Sequence, residues 1–145
     1  YYLFALRPFS GKLARTLRRE EKIYLYDWTE IADEGKRFEN LLACHLLKAC
    51  HYWTDAGYGD YRLYYVRDKQ KREVDFVICN RLKLWLLVEA KLADTNLDSS
   101  VSYFHERLKP LYSFQIVKEA SSAALVEKEK GIFVCSAIRF LASLP

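Results

Sequence analysis

The chain has 145 residues, 51% of them hydrophobic and 29% charged, which excludes a disordered segment and leaves enough apolar mass for one folded domain. Its net charge of +4 is too mild to demand an anionic partner by itself. No apolar run approaches the roughly 18 residues of a membrane-spanning helix, and the N-terminus lacks the order of a signal peptide. The sequence starts at Tyr1 and contains no methionine, so it is expected to be a domain cut from a longer protein.

In chain order, residues 1–6 predict a strand. Residues 10–19 predict a polar, basic connection carrying Lys12, Arg15, Arg18 and Arg19. Residues 22–26 alternate and predict a second strand, so the two strands are expected to pair as a hairpin. Residues 1–30 are accordingly expected to form a hairpin lead-in, and 31–145 the main domain. Asp33 is placed to cap a helix over residues 36–50, where Phe38, Leu41, Leu42, Leu46 and Ala49 recur at helical spacing and Glu39 sits on the edge of the stripe. A glycine-rich turn at 55–60 ends that unit. Three strands follow at 61–67, 73–79 and 82–91, and their short connections suit antiparallel hairpins. Asp98 caps a helix running to about residue 109, with Val101, Phe104 and Leu108 on one face, and Pro110 stops it. A strand at 114–117 follows that helix and is expected to pair in parallel with an earlier strand. A short strand at 132–135 and a helix at 137–144 complete the chain. This order predicts an α/β fold with a mixed sheet flanked by helices.

Cys44, Cys50, Cys79 and Cys135 show no C-x-x-C spacing. Cys44-His45 and Cys50-His51 invite a zinc reading, but ligands six apart on a helix do not converge as tetrahedral zinc requires. Buried free thiols in a reducing, cytoplasmic protein are expected instead. Tyr61, Tyr64 and Tyr65 read as half-buried sheet residues, and His105 as a surface histidine.

The third strand of the meander carries Glu89 and Lys91 at the end of an otherwise apolar stretch. Strict alternation puts Trp85, Leu87, Glu89 and Lys91 on one face, with Leu84, Leu86, Val88 and Ala90 on the other. In the neighbouring strand Asp75 stands between Val74 and Phe76, and alternation gives it the face of Val77 and Cys79. Alone, Glu89 and Lys91 also fit a solvated strand rim. Asp75 in the adjacent apolar strand brings in a second carboxylate. Two carboxylates about 5 Å apart repel by about 3 kcal/mol at an effective dielectric of 20, and Lys91 balances only one of them. A hard divalent cation, magnesium or manganese, resolves that conflict, since it favours one or two carboxylates plus water. Glu39 is a candidate third oxygen donor. Such a site suits phosphodiester hydrolysis. Arg67, Lys69, Lys71 and Arg72 crowd one turn and are candidate phosphate contacts for DNA.

Val74-Asp75 followed by Glu89-Ala90-Lys91 resembles the PD-(D/E)xK motif of the restriction-endonuclease-like nuclease superfamily, and the element order resembles that core. More narrowly, Gly35-Lys36-Arg37-Phe38-Glu39-Asn40, Tyr65-Val66-Arg67-Asp68-Lys69, Arg72-Glu73-Val74-Asp75-Phe76 and Val88-Glu89-Ala90-Lys91 resemble a C-terminal domain of unknown function. That domain follows AAA-type ATPase modules in bacteria and archaea. The likeness runs over residues 1–144. It implies Asp75, Glu89 and the Ala90 carbonyl as metal ligands, Lys91 as catalytic lysine and Glu39 as accessory acid. Val74 stands where the motif has proline. The chain has no G-x-x-x-x-G-K-[ST] loop, so an ATPase module would lie N-terminal in the parent chain. The N-terminal hairpin resembles the wing after a DNA-binding helix-turn-helix. Three functions are therefore compatible: a divalent-metal-dependent endonuclease, a silent DNA-binding module, or a regulatory or structural domain of the ATPase, for which self-association as a homo-oligomer is the expected sign. No nucleophile elbow, serine triad or dinucleotide loop supports another enzyme class.

Overall fold

Asp33 does what its position predicts. Its side chain accepts the Lys36 N–H at 2.8 Å and starts helix α1 (Glu34–Asp55), which ends at Ala56 before Gly57 at a φ of +84°. The computed structural model describes residues 2–9 and 20–145, so the basic connection predicted at 10–19, with Lys12, Arg15, Arg18 and Arg19, lies outside the described residues. Strands β1 (Leu3–Leu6) and β2 (Lys22–Leu25) form an antiparallel pair and are followed by a single 3-10 turn (Trp28–Glu30).

After α1 come β3 (Tyr61–Arg67), β4 (Glu73–Asn80) and β5 (Lys83–Lys91), an antiparallel meander. Helix α2 (Ser99–Leu108) then crosses over to β6 (Tyr112–Val117), which pairs in parallel with β5 as the crossover predicts. β7 (Leu125–Glu129), β8 (Ile132–Ser136) and α3 (Ala137–Ala142) complete the chain. The six-stranded mixed sheet has the order β3-β4-β5-β6-β8-β7. One face packs on α1 and α3 through Phe38, Leu42, Leu46, Phe76, Ile78, Val88 and Phe140. The other packs on α2 through Val74, Val77, Leu87, Val101 and Phe104. The protein is therefore α/β, a mixed sheet flanked by helices on both sides. β7 was not expected from the sequence. It is an edge strand exposed along its whole length, so burial leaves no pattern on it.

Two irregularities correct the strict alternation read from the sequence. Tyr64 pairs with Val77 and Val66 with Val74, so β4 carries one extra residue against β3 around Asp75 and Phe76. Val74 joins Val77 on the α2 side, and Asp75 reaches Lys22 on the α1 side instead of sharing the face of Val77 and Cys79. Likewise Ile78 pairs with Leu86 and Cys79 with Leu84, so Trp85 is the extra residue in β5. Trp85 packs with Leu86 against the α1 side, while Leu84 and Leu87 lie on the α2 side. A bulge resets which side chains share a face, and period-two counting cannot see it.

The N-terminal pair is tied to α1 by a side chain. Asn40, only 3% exposed, accepts the Leu25 N–H at 2.9 Å and donates to the Leu25 carbonyl at 2.6 Å. It thus completes β2 as a neighbouring strand would. The Cys44 thiol donates to the same carbonyl at 3.2 Å. On the other side the Phe9 N–H donates to the Tyr65 carbonyl at 2.6 Å, beside β3. All four cysteines are free thiols, and Cys50, Cys79 and Cys135 are buried. No helix among the described residues is long and apolar enough to cross a membrane. Asn40→Ala leaves both Leu25 backbone groups without their partner and is expected to cost about 2 kcal/mol. Urea unfolding of the variant checks this, and a change under about 0.5 kcal/mol would contradict the clamp.

Candidate metal centre

After the bulge at Trp85, β4 and β5 stay paired as far as Phe76–Val88, and beyond it the ladder ends. Two carboxylates then stand in for ladder carbonyls. The Asp75 N–H donates to Glu89 Oε2 at 3.0 Å, and the Ala90 N–H donates to Asp75 Oδ2 at 3.0 Å. Each carboxylate thus spends one oxygen on the partner strand's backbone. The other oxygens face ammonium groups: Asp75 Oδ1 lies 3.5 Å from Lys22 Nζ, and Glu89 Oε1 lies 3.5 Å from Lys91 Nζ. Asp75 is 9% and Glu89 8% exposed, so both charges are largely removed from water.

That burial has a cost visible in proton affinity. Burial pushes the Glu89 carboxyl up, and the nearby Asp75 charge pushes it further, against the Asp75 N–H and Lys91. Asp75 is also raised, by burial and then by Glu39, with Lys22 and the Ala90 N–H opposing. Lys91 is held between Glu89 and Asp98, whose Oδ2 accepts from Nζ at 2.7 Å. Burial is the largest influence and disfavours the Lys91 charge, yet Asp98 and Glu89 together outweigh it and raise its pKa. Asp98 does two jobs, since its Oδ1 caps α2 by accepting the Ser100 N–H at 2.8 Å. Gln115, fully buried on β6, fixes the loop that carries Asp98. Its Oε1 accepts the Asp98 N–H at 2.9 Å, and its Nε2 donates to the carbonyls of Asp94 and Asn96 at 3.1 and 2.8 Å.

Lys22 and Gln115 were not singled out from the sequence, while Asp98 was read only as a helix cap and Glu73 only as part of the quoted motif. Lys22 carries the largest consequence. From β2 its Nζ reaches Glu73 Oε1 at 2.5 Å, Glu39 Oε1 at 3.0 Å and Asp75 Oδ1 at 3.5 Å. Burial works against its charge, but Asp75, Glu39 and Glu73 together raise its pKa. One sequence signal for it existed: Lys22 shares a strand face with Tyr24, which is buried, and a lysine on a buried face needs anions. Glu39 is brought to the site but turned to this pair, accepting from Tyr24 Oη at 2.7 Å as well as from Lys22. Among the described residues, no three His, Cys, Asp or Glu side chains are disposed around one metal position. The donor chemistry nevertheless fits a hard divalent ion that keeps most of its water. Two carboxylate oxygens, on Asp75 and Glu89, are free of backbone duties, and each faces a lysine ammonium at 3.5 Å.

The basic turn is built differently from a row of free cations. Asp68 Oδ1 accepts the N–H groups of Gln70 and Arg72 at 2.9 and 3.0 Å, and its Oδ2 accepts Arg72 Nε at 2.6 Å. The Arg72 guanidinium also stacks 3.6 Å from the Tyr103 ring centroid. Arg67 is paired with Glu73 at 2.5 Å. Lys69 and Lys71 are exposed at the tip, Lys71 at a φ of 63°. The turn leads directly into Glu73 and Asp75, so its tip belongs to the same end of the sheet as the carboxylates. His105 lies about two helical turns along α2 from Asp98, away from the carboxylates, bonded through Nδ1 to Ser113 Oγ at 2.7 Å. Tyr61 and Tyr64 are half-buried and Tyr65 is buried, as sheet residues.

A family model described as a domain of unknown function (DUF4143) matches residues 34–138. The chain belongs to this family. No curated protein and no solved structure matches it. The matched span holds Glu39, Asp75, Glu89, Ala90, Lys91 and the basic turn, while β1 and β2, and Lys22 with them, lie outside it. Within this DUF4143 domain the raised Glu89 pKa has a sign that can be checked. A folded-state pKa above the unfolded value near 4.3 means that the fold binds the extra proton, so the cost of ionising Glu89 grows as pH rises above roughly 4.3. Glu89→Gln removes that cost and keeps the acceptor for the Asp75 N–H. In chelator, its stability relative to wild type is expected to improve by at least about 1 kcal/mol between pH 5 and pH 8. Urea melts at both pH values measure it, and a difference independent of pH would mean that Glu89 ionises as freely as in the unfolded chain.

Proposed function

We propose that this domain is nuclease-like and hydrolyses DNA phosphodiester bonds with a magnesium or manganese ion held by Asp75 and Glu89, with the Ala90 carbonyl as the third ligand. The observation that carries the reading is the pair of buried carboxylates at the parting of β4 and β5, each with one oxygen on backbone and the other facing a positive charge 3.5 Å away. The Asp75, Glu89-Ala90-Lys91 pattern of the PD-(D/E)xK nucleases supports it. The bound ion would activate a water and stabilise charge on the phosphate. Lys91, aimed by Asp98, supplies a fixed positive charge beside Glu89 and can orient a water or screen a phosphate oxygen. Glu39 is the accessory acid, linked to Asp75 through the Lys22 ammonium that both contact. Lys69 and Lys71 meet the DNA backbone, while Arg67 and Arg72 shape the turn that presents them. The resemblance to domains that follow AAA-type ATPase modules supports an ATPase in the parent chain as partner, and the free thiols suit the cytoplasm.

One observation favours a second reading, a silent DNA-binding or regulatory domain of that ATPase: Lys22 already neutralises Asp75 without a metal. Plasmid cleavage in manganese or magnesium separates the two. Metal-dependent cutting that falls at least about a hundredfold in Glu89→Ala, the scale of a lost charge-stabilising group, is expected for the nuclease. Cutting by neither protein would leave the silent reading. For DNA binding, the Lys69→Ala, Lys71→Ala double variant is expected to lower the slope of log affinity against log salt by about 2. An unchanged slope would remove the turn from the DNA contact.

A further inference from the structure

We propose that Lys22 is a built-in competitor for the divalent cation, so that the β1–β2 hairpin keeps the site closed to metal until its ammonium withdraws. This rests on the metal reading above and concerns how that site is regulated. Asp75 has one oxygen that no backbone group claims, Oδ1, and Lys22 Nζ lies 3.5 Å from it. The same ammonium is held by Glu73 at 2.5 Å and Glu39 at 3.0 Å. A metal ion on Asp75 Oδ1 would stand within a few ångströms of this positive charge, in a setting poor in water, so the two exclude each other. Lys22 thus does the neutralising work that a cation would do.

The arrangement is also reversible. The Lys22 side chain keeps 21% of its exposure, and its four-carbon stem offers several rotamers. Among the described residues its strand pairs with β1 alone, over the four positions Leu3–Leu6 against Lys22–Leu25. A two-stranded ribbon of that size is marginal by itself, and this one stays in place through Asn40, Cys44, the Tyr24–Glu39 bond, the Phe9–Tyr65 backbone bond and the burial of Leu6 and Tyr24.

Calorimetric titration with manganese chloride tests the proposal on wild type, Lys22→Met and Lys22→Arg. Lys22→Met is expected to bind at least about tenfold more tightly than wild type, and Lys22→Arg, which keeps the charge, to bind like wild type. Equal affinity in Lys22→Met and wild type would overturn the competition while leaving the metal site standing. Binding by none of the three would overturn the metal site and the competition together. A second measurement needs no variant: acetylation of wild-type Lys22, followed by mass spectrometry, is expected to rise severalfold at saturating manganese as the amine is released. Unchanged labelling at saturation would overturn the proposal.

Discussion

Two carboxylates removed from water at the end of one strand pair govern this structure. Asp75 and Glu89 stand where β4 and β5 separate, and each repairs the other strand's interrupted ladder. That exchange is why neither charge can move out into solvent without uncovering a backbone N–H. The surrounding elements read as responses. Lys91 stays beside Glu89, Asp98 holds Lys91, Gln115 holds the loop of Asp98, and Lys22 comes in from a separate two-stranded sheet to meet Asp75.

The position of this constellation follows from the sheet. A meander brings β4 and β5 together as neighbours, and the helical crossover through α2 then lays β6 parallel to β5. The crossover starts at the end of β5, so the cap of α2 and the tail of β5 are forced into contact. Asp98 therefore serves both the helix N-terminus and the strand-end lysine. On the opposite face, α1 offers Glu39 and Asn40 to the hairpin one residue apart: the first takes the charge of Lys22, and the second completes the backbone of β2. The Gly-x-x-Phe-Glu-Asn segment of the sequence is thereby a docking device with Phe38 in the core.

The basic segment illustrates how composition and geometry diverge. Four cations within six residues suggest an electrostatic patch, yet Asp68 organises the turn from within and Glu73 takes Arg67. Arg72 is further engaged on the Tyr103 ring, leaving Lys69 and Lys71 as the exposed charges. A turn built this way presents two mobile point charges on a rigid base, which suits contact with a polyanion backbone better than base-specific reading.

What the sequence by itself determined is the helices, the strands other than β7, and the nearness of Asp75 and Glu89 across neighbouring strands. Helical spacing behind Asp33 and Asp98, alternation in the strands, and short links between them state local preferences that the fold obeys, because burial of one face enforces each period. A carboxylate inside an apolar strand is equally legible, since its burial demands a reason. The exposed edge strand β7 left no such imprint. The bulges at Asp75 and Trp85, and with them the faces of those side chains, were decided by pairing with neighbouring strands and have no local signature. Lys22 was decided in the same way. It lies 53 residues before Asp75, and only the docking of the hairpin on α1 turns a surface-type residue into the ammonium that Asp75, Glu73 and Glu39 share.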